Sequence, residues 1–207
     1  MQQPASNPDR YPSLMQRLRQ QTADIHAATE DLALMRALLA KEASVADYRR
    51  YLSALHGVYL ATEPALYGAV SPALLYRLGV RPKLPALQQD LAALGAGPAL
   101  PAAGWTRRLR AAVGDEPAAL GGLYVLEGAT LGGRVIARRL RQSWGSRPEL
   151  PFAFLEFGGE HLGSQWRRFG DALEAWAVAH SGVDEAIIDG AIAVFQAMHG
   201  AFAEARS

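Results

Sequence analysis

The residues with the clearest chemical potential are His26 and Glu30, in the stretch 18–30, Leu-Arg-Gln-Gln-Thr-Ala-Asp-Ile-His-Ala-Ala-Thr-Glu. Neither proline nor glycine interrupts it, and Leu18, Ile25 and Ala28 recur at helical spacing, which predicts an amphipathic helix. His26 and Glu30 are four residues apart, one turn along one face, with Thr22 a turn earlier. A histidine that ligates a metal needs one ring nitrogen as a neutral donor. A carboxylate that holds the other N–H fixes its tautomer and orientation. One helix would supply both groups. The pair alone equally fits a surface or core histidine beside a helix-end acid, so a second signal has to separate the two readings.

That signal is the stretch 120–136, Leu-Gly-Gly-Leu-Tyr-Val-Leu-Glu-Gly-Ala-Thr-Leu-Gly-Gly-Arg-Val-Ile. Its apolar spacing is helical, yet it holds Gly121, Gly122, Gly128, Gly132 and Gly133. Each glycine inside a helix costs about 0.5–1 kcal/mol relative to alanine, so a compensating benefit is required. Gly121, Gly128 and Gly132 fall near one face and would leave a groove bare of side chains, against which something flat can lie. Glycine also lets a helix bend and opens its backbone to a ligand or water. Close packing between helices is the other use of such residues.

The elements that must position these groups all read as helices. Residues 1–11 form a polar, flexible lead-in, and a single domain spans 12–207. A first helix is predicted over 13–28 and a short second one over 34–39. Ser44 and Asp47 form a capping box for a long helix carrying Tyr48, Tyr51, Leu52, Leu55, Tyr59 and Leu60, which Pro64 kinks or ends. Shorter helices follow near 74–76 and 84–94. A loop covers 95–104, with Pro98 and Pro101 inside it. Asp115-Glu116-Pro117 starts the glycine-rich helix, and two amphipathic helices close the chain over 157–179 and 183–205. No repeat, alternating strand pattern or hairpin dipeptide is present. The fold class is all-α.

Composition narrows the functions. A chain of 207 residues, half of them hydrophobic, suits one compact domain. A net charge of +1 gives no general attraction to nucleic acid or membrane. The absence of cysteine excludes disulfides, thiolate metal sites and cysteine nucleophiles. No signal peptide or apolar span is evident, so a cytoplasmic location is expected.

Taken together, the His26 motif Leu-Arg-x-x-Thr-x-x-x-His-x-x-x-Glu and Tyr-Val-Leu-Glu-Gly-Ala-Thr-Leu-Gly-Gly-Arg-Val-Ile resemble the biliverdin-forming heme oxygenases. The bacterial branch, which supplies bilin to phytochromes or releases iron from heme, is the better match. The resemblance runs from about residue 13 to 204 and takes in Arg81-Pro-Lys-Leu-Pro-Ala-Leu-Gln-Gln-Asp-Leu, Trp166-Arg-Arg-Phe169 and the helix from Phe195 to Phe202. It implies a single-domain multi-helix bundle with heme between a proximal helix and a kinked, glycine-rich distal helix. His26 becomes the axial ligand and Glu30 its orienting partner. Gly128 sits over the iron, while Gly132 and Gly133 permit the kink. Arg19 and Tyr124 meet the two propionates, and Phe195 lines the pocket. A planar apolar ring with two carboxylates wants just such small residues, a ligand, and Arg or Tyr at the rim.

The implied reaction opens heme to biliverdin with release of carbon monoxide and ferrous iron. Heme is cofactor and substrate at once, and O2 and an external electron donor are consumed. A ferredoxin or flavin reductase would supply the electrons, and a bacteriophytochrome is the implied bilin acceptor. The sequence departs from many members in one respect: the distal aspartate is replaced by Ala129. Glu127 precedes Gly128 and is expected to point away from the iron. His56 is then the candidate to order distal water, with a satisfied core histidine as the alternative; His161, His180 and His199 read as structural or surface groups. Two rival functions share parts of this pattern. A heme carrier or storage protein would keep the pocket without turnover. A helical enzyme acting on a thiamin-like substrate would need a cysteine nucleophile, which is absent. A helical DNA-binding regulator lacks both the charge and a helix-turn-helix.

Overall fold

The computed structural model describes residues 12–97, 103–145 and 151–205. The expected lead-in over 1–11 and the middle of the expected loop over 95–104 lie outside them. Among the described residues every regular element is a helix.

The expected first helix is two. Ser13 caps α1 (Leu14–Gln21) in a capping box with Gln16, and the chain passes through Thr22 into α2 (Ala23–Glu30). The Thr22 hydroxyl donates to the Leu18 carbonyl at 2.7 Å, and the His26 N–H donates to the Thr22 carbonyl at 2.9 Å. Thr22 is therefore a break in regularity across which hydrogen bonding continues, which explains why the apolar period runs through it. Next come α3 (Ala33–Leu39) and α4 (Val45–Ala69), the latter started by the Ser44–Asp47 box that the sequence predicts. Pro64 does not end α4. It lies on the exposed side, where the carbonyl that its missing N–H leaves behind can meet water.

Beyond a left-handed Gly79 that ends α5 (Pro72–Leu78), α6 spans Leu84–Ala93. The helix α7 (Ala103–Ala112) falls partly within the expected loop and partly beyond it. Its Leu109, with Val113 four residues on, is buried, and that spacing was the available sign of a helix. Asp115 caps α8 (Glu116–Trp144), accepting from the Ala118 N–H at 2.9 Å. The helix α9 (Leu162–Ala179) begins five residues later than expected, after a 3-10 turn at Gly159–His161. The chain closes with α10 (Asp184–Glu204).

The core is built around α4, α8 and α10, and α10 packs on α8, α4 and α2. Helices α8 and α10 meet backbone to backbone. A Cβ on Gly121 would collide with the Ile187 carbonyl, and one on Gly190 with the Ala118 carbonyl. Gly121 thus belongs to this crossing and not to the bare groove in which the sequence pattern placed it. Its absent side chain lets two backbones meet. Among the described residues α10 alone has the length and apolarity of a membrane span. Its Ile187, Val194, Phe195, Met198 and Phe202 are buried in the core.

Candidate functional site

His26 and Glu30 project from α2 with side chains 54% and 61% exposed, and His26 Nδ1 stands 3.7 Å from Glu30 Oε2. This is ion-pair distance, longer than a hydrogen bond. The imidazole meets the Phe195 ring edge-on, with centroids 5.6 Å apart and planes at 81°. Phe195 belongs to α10, which backs both α2 and α8. A common helix therefore sets the proximal and distal elements. Among the described residues no three His, Cys, Asp or Glu side chains converge on a metal position. A single exposed imidazole suits an iron whose four equatorial ligands come from a macrocycle.

On α8 the glycines separate by what surrounds them. A Cβ on Gly132 would meet nothing within 4 Å, and one on Gly128 would meet only the Trp166 ring, at 3.7 Å. These two give the helix an open, unadorned face, as the sequence reading requires. Gly133 is different: it is buried, and a Cβ there would lie 3.0 Å from the Leu155 carbonyl oxygen. Its lack of a side chain serves the approach of the 151–155 segment. Asp90 pins that segment in turn, accepting from the Ala153 and Phe154 N–H groups at 2.9 Å each.

The rim residues meet across α1 and α8. Tyr124 is half-buried one turn before Gly128, and Arg19 is exposed on α1. Burial pushes the Tyr124 phenol above its ordinary value, and a hydrogen bond to the Thr22 hydroxyl and the Arg19 charge pull against that rise. Arg19, Thr22 and Tyr124 therefore cluster at one end of the site, with Thr22 one turn and Arg19 two turns before His26.

His56 is 1% exposed on α4. It shares a face with Tyr59 and Glu63, at positions i, i+3 and i+7. The Tyr59 hydroxyl donates to the Leu126 carbonyl of α8 at 3.3 Å, so this face of α4 fronts the distal helix. Glu127 pairs with Lys83, a partner 44 residues away in the chain that the sequence reading did not name.

Sequence reasoning missed Trp166 as a site residue. Its ring stacks on Phe169 and lies 5.5 Å from Tyr124, beside the open face at Gly128. Trp166, Phe169, Leu173 and Trp176 recur at i, i+3, i+7 and i+10, a stripe that reads as core; nothing in it marks the first member as facing a site.

A half-exposed imidazole with a carboxylate at its Nδ1, a helix face where two glycines leave space, and an arginine and a tyrosine at one rim fit a flat macrocycle with acidic edges. Comparisons with known proteins identify the family. The family model described as heme oxygenase matches residues 12–204. The chain is 38% identical over 133 residues to a heme oxygenase of Xanthomonas campestris pv. campestris (strain 8004), covering 61% of this chain and 71% of that one. The heme oxygenase of Leptospira interrogans superposes with a TM-score of 0.78 at 22% identity, over 93% of this chain and all of that one. Heme oxygenase-1 of the cyanobacterium Synechocystis sp. PCC6803, solved in complex with heme, gives a TM-score of 0.75 at 17% identity over 93% and 92% of the two chains. At these identities the two structures establish a shared fold. The family model and the Xanthomonas relative carry the rest: the chain belongs to the heme oxygenase family and is a heme-degrading oxidoreductase.

Proposed function

We propose that this protein holds heme through His26 and opens it to biliverdin, carbon monoxide and ferrous iron, using O2 and electrons from an external donor. The observation that carries the assignment is the His26 imidazole itself, half-exposed against Phe195 with Glu30 at 3.7 Å from Nδ1. That arrangement leaves Nε2 for iron.

Heme supplies the redox-active iron and the conjugated ring that is itself oxidised. The chain's own residues do the rest. His26 presents a neutral nitrogen, and Glu30 steadies the opposite N–H. Tyr124 would hold one heme propionate, and Arg19 the other. Gly128 and Gly132 bring backbone close to the distal side, where a side chain would fill the space, and Gly133 lets α8 seat against the 151–155 segment. His56 orders the water that brings protons, in the role left open by Ala129.

The electron donor is proposed to be an acidic protein such as a ferredoxin, or a flavin reductase. Arg134, Val135, Arg138 and Arg141 line an open groove of 370 Å³ with Glu156 on the turns of α8 that follow Gly132, a positive surface beside the site that favours such a partner. On the bacterial character of the sequence we extend the proposal to a bacteriophytochrome as bilin acceptor and to a cytoplasmic location.

The test is to add hemin to the purified protein, then a reductant in air, and to follow the visible spectrum. Appearance of a bilin band as the heme band decays is expected. Heme that stays intact through reduction and aeration would overturn the proposal.

A further inference from the structure

The open face of α8 cannot set the helix's own rotation. Gly128 and Gly132 have no side chains, and the space beside them is empty or met only by one tryptophan ring. Successive helical residues differ by 100°, so a rotation of the helix swings the bare backbone away from whatever lies against it. The angle has to be fixed from behind.

The residue immediately before Gly128 meets that need. Glu127 accepts a hydrogen bond from the Lys83 ammonium, whose side chain is 2% exposed against 16% for Glu127. Lys83 Nζ also donates to the Arg81 carbonyl at 3.2 Å. Its backbone N–H donates to Glu63 Oε2 at 2.8 Å, and the Leu84 N–H donates to Glu63 Oε1 at 3.1 Å. The Lys83 turn is therefore gripped by α4 on one side and holds α8 on the other. The Phe157 ring lies 4.9 Å from the Arg81 guanidinium carbon and 5.3 Å from Lys83 Nζ. A short apolar contact tolerates sliding, whereas a buried charge-assisted hydrogen bond is directional.

We propose that Lys83 and Glu127 form a positioning strut that fixes the rotation of α8 at Gly128, and so decides which edge of the heme ring is attacked. A buried ion pair adds little net stability over apolar residues of similar size, but it can specify one arrangement. The proposal rests on the placing of heme against α8.

The double variant Lys83→Met/Glu127→Leu removes both charges together and leaves neither buried alone. It is expected to bind hemin with the wild-type ferric spectrum and to melt at or above the wild-type temperature. Its bilin product should show a shifted ratio of ring-opening isomers. The C–O stretching band of its ferrous carbon monoxide complex should move or broaden relative to wild type. Glu127→Gln keeps the shape and one hydrogen bond, and is expected to show the same changes in smaller size; it serves also if the double variant does not fold. An isomer ratio and a C–O band identical to wild type in a folded variant would overturn the strut and leave the heme placing intact. Wild-type protein that fails to bind hemin through His26 would instead remove the placing itself.

Discussion

Gly121 of α8 and Gly190 of α10 interlock: a Cβ on the first would run into the Ile187 carbonyl, and a Cβ on the second into the Ala118 carbonyl. About three turns of α8, from Gly121 to Gly132, thus contain two kinds of glycine. One kind serves packing, and the other, at Gly128 and Gly132, leaves open space. Gly121→Ala and Gly190→Ala should each destabilise the protein by about 1–3 kcal/mol or more, since backbone has to move. Gly132→Ala should be neutral or stabilising by up to about 1 kcal/mol, through helix propensity alone. Urea unfolding of the three variants checks the contrast.

The same open space predicts an activity effect of opposite sign. Gly132→Leu should keep hemin bound through His26 while slowing or diverting ring opening, because its side chain enters the distal space. A variant at least as stable but less active is what a site held bare for function produces. If Gly132→Leu turned over heme normally and lost stability, the glycine would be a packing residue.

Glu30 lies at ion-pair distance from the imidazole, not at hydrogen-bond distance. Glu30→Gln should therefore lower heme affinity at the weak end of the 10–100-fold range for groups behind a metal ligand, about tenfold. The iron–histidine stretch in resonance Raman should fall with it. An unchanged stretch would remove Glu30 as the partner.

Stability should carry a pH signature from the start of α4. Hydrogen bonds from Ser44, and the Arg50 guanidinium, hold the Asp47 carboxyl below its ordinary value of 3.8. A lowered carboxylate contributes stability above its unfolded value and loses it as pH falls through the folded one. Asp47→Asn should cost about 1 kcal/mol near neutrality, and the difference from wild type should shrink as pH falls below 3.8 and vanish once the folded carboxyl, held lower, is protonated. A gap that persists in acid would mean that packing, not charge, is lost.

Much of this was legible in the sequence, where local chemistry decided the outcome. The Ser44–Asp47 box, the Asp115 cap and the His26–Glu30 register depend on residues three or four apart. Other features depend on what arrives from elsewhere in the chain. Gly121 and Gly132 are alike in sequence, yet Gly121 meets α10 and Gly132 meets nothing. Trp166 reads as core because its spacing is that of Phe169 and Leu173. The role of Lys83 was not legible, since neither Glu63 nor Glu127 is near it in sequence. Pro64 does not end α4, where tertiary packing outweighs one lost hydrogen bond.

The central claim is that His26 is the heme ligand, and one titration tests it directly. Hemin is added to wild type and to His26→Ala, and the Soret band is followed, with circular dichroism confirming equal helix content. Wild type should saturate at one hemin per chain with a spectrum of histidine ligation. His26→Ala should lose that spectrum and recover it on adding imidazole. A His26→Ala protein that gives the wild-type Soret band and turnover without imidazole would contradict the account.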